Sequence, residues 1–251
     1  MGSTLSRTAE VFADDRLGSN ASLYNGNVGA ASHHLNTTRN PSLLARLPSH
    51  QKPPLQITMT TTEHFQSCTL PQPRRFITTH DESGKAVYSN SLPEPVPFWP
   101  VGHKKDPAGF GLAYATSSAP VRLTHGEDLS DFHHIHEQRK KTGLVKRNGS
   151  VLRYVDYPPR ARAYSPMHRT VSCDYAIALV GEMECLLDSG ESRILKPGDV
   201  LIQRGTMHQW INHSNSWSRM LYVLIAAAPV DIDGKILGEE LGGMKGVPSS
   251  F

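Results

Sequence analysis

His168-Arg169-Thr170-Val171-Ser172-Cys173-Asp174-Tyr175-Ala176-Ile177-Ala178-Leu179-Val180-Gly181 is the stretch that sets the architecture. Its even positions His168, Thr170, Ser172, Asp174, Ala176 and Ala178 are polar or small. The odd positions Val171, Cys173, Tyr175, Ile177 and Leu179 are bulkier and mostly apolar. An extended chain turns successive side chains to opposite faces, so this alternation predicts a strand with two unlike faces. Two readings of the even face are open. Lining a barrel, its small and polar groups leave room for a ligand; facing water, it carries no function.

Working outward, short β-prone runs follow Gly149 at regular spacing: Val151–Asp156, His168–Thr170, Cys173–Leu179, Glu182–Leu187, Ser192–Leu195, Asp199–Gln203, His208–Asn212 and Ser218–Ile225. Turn sequences such as Asp188-Ser189-Gly190 and Lys196-Pro197-Gly198 separate them. This pattern predicts an all-β sandwich or barrel. No internal repeat is visible, which favours one barrel over two. Upstream, prolines at 71, 73, 93, 95, 97, 100, 107 and 120 disfavour helix and suit extended segments lying over a sheet. Strands are expected at Arg75–Thr79, Ala86–Ser89 and Gly111–Ser117. One helix is expected over Leu129–Lys141, with Asp128 or Ser130 as N-cap. The predicted organisation is an N-terminal extension over 1–70, strands and loops packing on the barrel over 71–148, a barrel core over 149–230 and a tail over 231–251.

The 251 residues are 38% hydrophobic with Gly 20 and Pro 18, so a well-packed core is expected in only part of the chain. A net charge of +3 is too small to argue for nucleic acid, and the clusters Arg139-Lys140-Lys141 and Lys146-Arg147 lack interleaved aromatics. No apolar run approaches the length of a transmembrane helix. Three cysteines, Cys68, Cys173 and Cys185, without paired spacing suit a reducing, cytoplasmic compartment rather than a disulfide framework. Cys173 beside Asp174 reads as a structural thiol, because a neighbouring carboxylate disfavours the thiolate. In the first 58 residues several arginines suit a transit peptide, but Asp14 and Asp15 do not. Met1-Gly2-Ser3-Thr4-Leu5-Ser6 fits the short N-myristoylation pattern, and disorder is the default for this segment.

His168, Thr170, Asp174 and Gly181, followed by Gly198, Gly205, His208 and Asn212, resemble the two sequence motifs of the cupin superfamily. Lys196-Pro197-Gly198-Asp199 matches the turn that commonly opens the second motif. The sequence also departs from the pattern. Thr170 stands where a second histidine is usual, Asp174 replaces glutamate, Arg162 replaces the upstream glycine and Gln203 replaces a proline. The stretch from Gly198 to Gly205 is one residue short. His-Arg-Thr, Asp-Tyr, Gln-Arg-Gly-Thr-x-His and the Arg74–Asp81 segment are similar to small single-domain cupins of fungal secondary-metabolite pathways. The resemblance covers about Val151–Ala226. It implies a jelly-roll barrel with a proline-rich N-terminal extension, a cavity around His168, Asp174 and His208, and a homodimer.

Two imidazoles and a carboxylate are the ligand types of a non-haem Fe(II) facial triad, and they also suit Mn, Ni or Zn. His168, Asp174 and His208 are therefore expected either as ligands of a divalent metal or, without one, as an acid–base set in which Asp174 orients a histidine. No organic cofactor is implied. Thr170, Tyr175, Gln203, Trp210 and Asn212 are the expected substrate contacts, Trp210 doubling as a core residue. His133-His134-Ile135-His136 is a weaker metal tract outside the motifs. The resemblance implies a lyase or isomerase performing dehydration, decarboxylation or cyclisation of a small molecule in natural-product metabolism. The alternatives are an Fe(II)-dependent dioxygenase and a non-catalytic ligand-binding cupin.

Overall fold

Alternation along Ser150–Tyr157 (β5), Ser172–Val180 (β6) and Ser218–Ala226 (β11) builds the centre of the molecule. β11 pairs antiparallel with β5 on one side and with β6 on the other, Tyr222 lying opposite both Arg153 and Ala176. Phe98–Val101 (β3), Ala108–Thr116 (β4) and Val200–Arg204 (β9) extend this into a six-stranded sheet ordered β3-β4-β5-β11-β6-β9. A second sheet, ordered β10-β7-β8, consists of His208–Ile211 (β10), Met183–Leu187 (β7) and Ser192–Leu195 (β8). Inward residues of both sheets, among them Trp99, Phe110, Val155 and Met220 from the first and Met183, Cys185, Leu195 and Trp210 from the second, form one core. The computed structural model describes residues 68–160 and 165–250. The transit-peptide, myristoylation and disorder readings of the first 58 residues lie outside them.

The even face of β6 points inward. Ser172, Asp174, Ala176 and Ala178 are buried, whereas Tyr175 and Leu179 are exposed. The Lys196–Asp199 turn into β9 is fixed by its own groups: the Asp199 carboxylate accepts from the Lys196 amide (2.8 Å) and Gly198 takes a φ of 96°. The two flanks differ from expectation. His168–Thr170 is not a ladder strand but one bridge, in which His168 and His208 exchange backbone hydrogen bonds of 2.8 and 2.9 Å. β3 forms despite Pro97 and Pro100 because it lies at the sheet edge, where a missing N–H costs no ladder bond. Before it, Thr78–His80 (β1) and Ala86–Tyr88 (β2) make a separate hairpin.

The helix (α1) spans Glu127–Glu137, earlier than expected, with Gly126 as N-cap in a left-handed conformation. Glu127 and Asp128 in its first turn suit the positive end of the helix dipole. It buries Phe132 and Ile135, and the Phe132 ring packs 4.5 Å from that of Tyr114 on β4. The other end of the chain also returns to the core. After a hairpin of Val230–Ile232 (β12) and Lys235–Leu237 (β13), Glu240 bridges Arg169, and Leu241, Met244 and Val247 pack on the core cluster. A buried ion pair pins the segment around Pro71: Arg219 donates to both Asp156 oxygens (2.6 and 2.7 Å) and to the Pro71 carbonyl (2.6 Å).

Candidate functional site

Inward positions of both sheets leave a cavity between them. Its polar lining is Arg153, Tyr157, Ser165, His168, Thr170, Asp174, Gln203, His208 and Tyr222; Phe110, Trp210, Leu224 and Met244 are among its apolar walls. Strand register brings the polar groups together. Asp174 on β6 lies opposite Gln203 on β9, and the His168–His208 bridge sets two imidazole rings 4.3 Å apart.

Each imidazole is held by a carbonyl two residues before it: His168 Nδ1 by Pro166 (2.8 Å) and His208 Nδ1 by Thr206 (2.9 Å). A carbonyl only accepts, so both Nδ1 atoms carry the proton and each Nε2 keeps a lone pair. Burial holds His168 below the ordinary histidine range. Burial, and then the neighbouring His168, pulls His208 down to about 3. Both rings are therefore neutral at physiological pH. Asp174 moves the opposite way: burial raises it to about 6, against the hydroxyls of Ser172 and Thr170, which favour its ionised form. Thr170 Oγ1 donates to Asp174 Oδ2 (3.2 Å) and receives a hydrogen bond from Ser172 (2.8 Å), while Oδ1 is buried without a partner. Both amide atoms of Gln203 are likewise buried and unpartnered.

The arrangement of this set departs from the sequence expectation in two respects. Among the described residues no hydrogen bond joins Asp174 to either imidazole; backbone carbonyls, not the carboxylate, orient the histidines. Nor do His168, Asp174 and His208 come together as a ligand set, since no group of three His, Cys, Asp or Glu among the described residues is placed to hold a metal ion. The two Nε2 lone pairs suit a metal. Thr170, in the usual place of a second histidine, donates instead to Asp174 Oδ2, and Asp is a methylene shorter than Glu.

Of the expected substrate contacts, Thr170, Gln203 and Trp210 line the cavity, and Trp210 is also core, its ring edge-on to His208 (6.0 Å) and Tyr222 (5.6 Å). Tyr175 and Asn212 do not line it. Tyr175 is 41% exposed on the outer sheet face, because Asp174 beside it points in. Asn212 is fully buried as a loop clasp. Its Nδ2 donates to the carbonyls of Tyr157, Pro158 and Ser216, and its Oδ1 accepts from the Ser214 amide and hydroxyl. Sequence reading missed Arg153, Tyr157 and Tyr222. The signal was present on β5, where Val151, Arg153, Val155 and Tyr157 share one face. The Tyr157 and Tyr222 hydroxyls hydrogen-bond each other at 2.9 Å, and burial raises both above the ordinary phenol range.

No family model matches the chain. It is 44% identical over 185 residues to phomopsin biosynthesis cluster protein D of Diaporthe leptostromiformis, covering 73% of this chain and 94% of that one. It is 40% identical to oryzines biosynthesis cluster protein J of Aspergillus oryzae (70% and 95% covered) and 35% identical to a cupin-domain-containing oxidoreductase of Aspergillus ruber (72% and 86% covered). Among solved structures, a cupin 2 conserved barrel domain protein of Salinispora arenicola is 26% identical over 32% of this chain and 65% of its own, with a TM-score of 0.28. With relatives this similar over most of its length, and two motifs in one barrel, the chain belongs to the cupin superfamily, among the small cupins of fungal biosynthesis clusters.

Proposed function

We propose that the cavity performs proton-transfer chemistry on a small biosynthetic intermediate, as a lyase or isomerase. The observation that carries the reading is the Asp174 carboxyl: buried, raised to about 6, with Oδ1 free of partners among the described residues, in the wall of the cavity between the sheets. A base with a pKa just below neutral is ionised yet still accepts a proton effectively. Asp174 takes a proton from a carbon next to a substrate carbonyl. The Gln203 amide, and whichever hydroxyl of the Tyr157–Tyr222 pair does not donate to the other, supply hydrogen bonds to the negative charge that develops on oxygen. The two Nε2 lone pairs accept from substrate hydroxyls and so fix its orientation. From the enolate, return of the proton to another carbon gives isomerisation, and expulsion of a neighbouring hydroxyl as water gives dehydration. The residues do not make a three-ligand metal centre, so no step is routed through an ion.

The relatives encoded in biosynthesis clusters support a natural-product substrate, while the oxidoreductase names of others favour a redox reaction instead. One experiment separates them. The gene is deleted in its source organism, and the accumulating intermediate is incubated with purified protein in D₂O, with elemental analysis of the protein in parallel. Loss of water, or an isomer with the same atoms carrying deuterium from the solvent in place of a hydrogen, and loss of both in Asp174→Asn, is the expected result. Gain of oxygen, loss of hydrogen or dependence on bound iron overturns the reading.

The proposal includes a second copy of the chain. The outer face of β6 and β9 presents Tyr175 opposite Ile202 and Ile177 opposite Val200, with Val200 57% and Ile202 52% exposed. β9 is also a sheet edge, and an apolar patch at an edge serves both members of a two-fold pair. Light scattering should show a dimer that Ile202→Glu dissociates; a monomeric wild type refutes it.

A further inference from the structure

Arg153 occupies an inward position of β5 and is 2% exposed. Its side chain leans toward β3 and β4, the guanidinium carbon 5.1 Å from the ring centre of Phe110 and 6.0 Å from that of Trp99. One nitrogen donates to the Gly143 carbonyl (3.0 Å), and Nε is buried without a partner. Among the described residues no carboxylate pairs with it. Burial alone lowers its pKa, only to about 10, so it remains a cation at neutral pH. A buried charge is costly, and proteins rarely keep one without a counter-charge. Aromatic faces and one carbonyl offset part of that cost but supply no negative charge.

The same cavity holds the other orphan polar atoms, Asp174 Oδ1 and both Gln203 amide atoms. They sit elsewhere in it. Arg153 and Asp174 are on strands separated by β11 and offset by two residues, which places their Cα atoms about 12 Å apart by ordinary strand spacing. Arg153 leans away from that end. Leu224 and Tyr222, on the strand between them, provide the intervening wall.

We propose that Arg153 is the anion anchor of this cavity, and that the substrate is a carboxylic acid whose carboxylate meets the guanidinium. Its apolar body lies along the Phe110, Leu224 and Trp210 walls, and its oxygenated reacting end reaches Asp174 and Gln203. Planar guanidinium geometry suits a carboxylate, which it can bind through two nitrogens. The inference rests on the proton-transfer reading for the reacting end only; the anchor stands on Arg153 alone.

The test uses the full-length protein and matched probes, hexanoate against hexanamide and 3-phenylpropanoate against its amide, with affinity read by calorimetry. Wild type should bind each acid at least about tenfold more tightly than its amide, a difference near 1.4 kcal/mol. Arg153→Met should remove that preference while staying folded, because an apolar replacement of a buried unpaired cation does not itself destabilise. Arg153→Gln serves if the Met variant misfolds, and the wild-type comparison needs no variant. Equal affinity for acid and amide in the wild type, or a preference that survives both substitutions, overturns the anchor. Asp174→Asn should keep the acid preference. If the preference is present but the accumulating intermediate is turned over oxidatively, the proton-transfer reading falls and the anchor stands.

Discussion

Replacing Arg219 by methionine is the sharpest test of how the sheet holds the Pro71 segment. Arg219 donates to both oxygens of Asp156 and to the Pro71 carbonyl, and its guanidinium carbon lies 5.4 Å from the Phe98 ring centre and 6.0 Å from that of Tyr154. Asp156 is 2% exposed, and among the described residues its carboxylate also accepts a hydrogen bond from the Cys68 thiol (3.3 Å). The substitution therefore strands a carboxylate where water cannot reach it. Removing one partner of a buried pair costs about 3–5 kcal/mol. For a domain of this size each kcal/mol lowers Tm by about 2–4 °C, so a fall of roughly 6–20 °C is expected. Urea unfolding of Arg219→Met and of the double variant Asp156→Leu/Arg219→Met decides the cause. The double variant removes both charges and should recover to within about 2 kcal/mol of the wild type. A cost below about 1 kcal/mol in the single variant, or no recovery in the double one, refutes the argument that an orphaned charge is responsible.

Stability should fall as pH drops below about 6.5, because the unfolded chain protonates His208 there while the folded site resists until about 3; His168 acts in the same direction. Asp174 opposes this: its raised pKa lets the folded state bind a proton earlier, so its own contribution declines as pH rises from 3.8 to about 6, and Asp174→Asn should stabilise the protein at neutral pH. Urea midpoints across that range check both, and an acid limb left unchanged by His208→Asn contradicts the first. Asn212→Ala should cost about 2–5 kcal/mol in urea unfolding, since three carbonyls lose their donor, yet leave hexanoate binding unchanged. Gly149→Ala should cost at least about 3 kcal/mol, because a Cβ there would lie 1.8 Å from the Thr116 carbonyl, held in register by the Ser150 amide on Thr116 Oγ1; near-wild-type thermal unfolding would contradict that packing.

The barrel was legible because its strands obey a period of two and its turns use residues that fit special backbone angles. Ala176 and Ala178 reach the interior as the alternation requires. The same rule, applied strictly, also separates Tyr175 from Asp174, so the expectation that both contact substrate contradicted the pattern that predicted the strand. Asn212 misled for another reason. It shares the inward parity of His208 and Trp210, but the chain leaves the sheet after Ile211, and its amide turns to the Tyr157 and Ser216 carbonyls instead. β3 was hidden by prolines, whose penalty depends on whether a strand is central or at an edge, and no local pattern states that.

Arg153 shows the same division most clearly. By itself the sequence determined the cupin family, the alternation of strand faces and the placing of His168, Thr170, Asp174 and His208 on the wall of one cavity, because motif spacing and a two-residue period are local properties of an extended chain. Only the tertiary structure decided that Thr170 donates to Asp174 Oδ2, that carbonyls orient both imidazoles, and that an arginine from β5 enters the same cavity with no carboxylate partner among the described residues. Charge, desolvation and hydrogen-bond satisfaction depend on which strands become neighbours and what each side chain meets there, and those are facts of packing rather than of order along the chain.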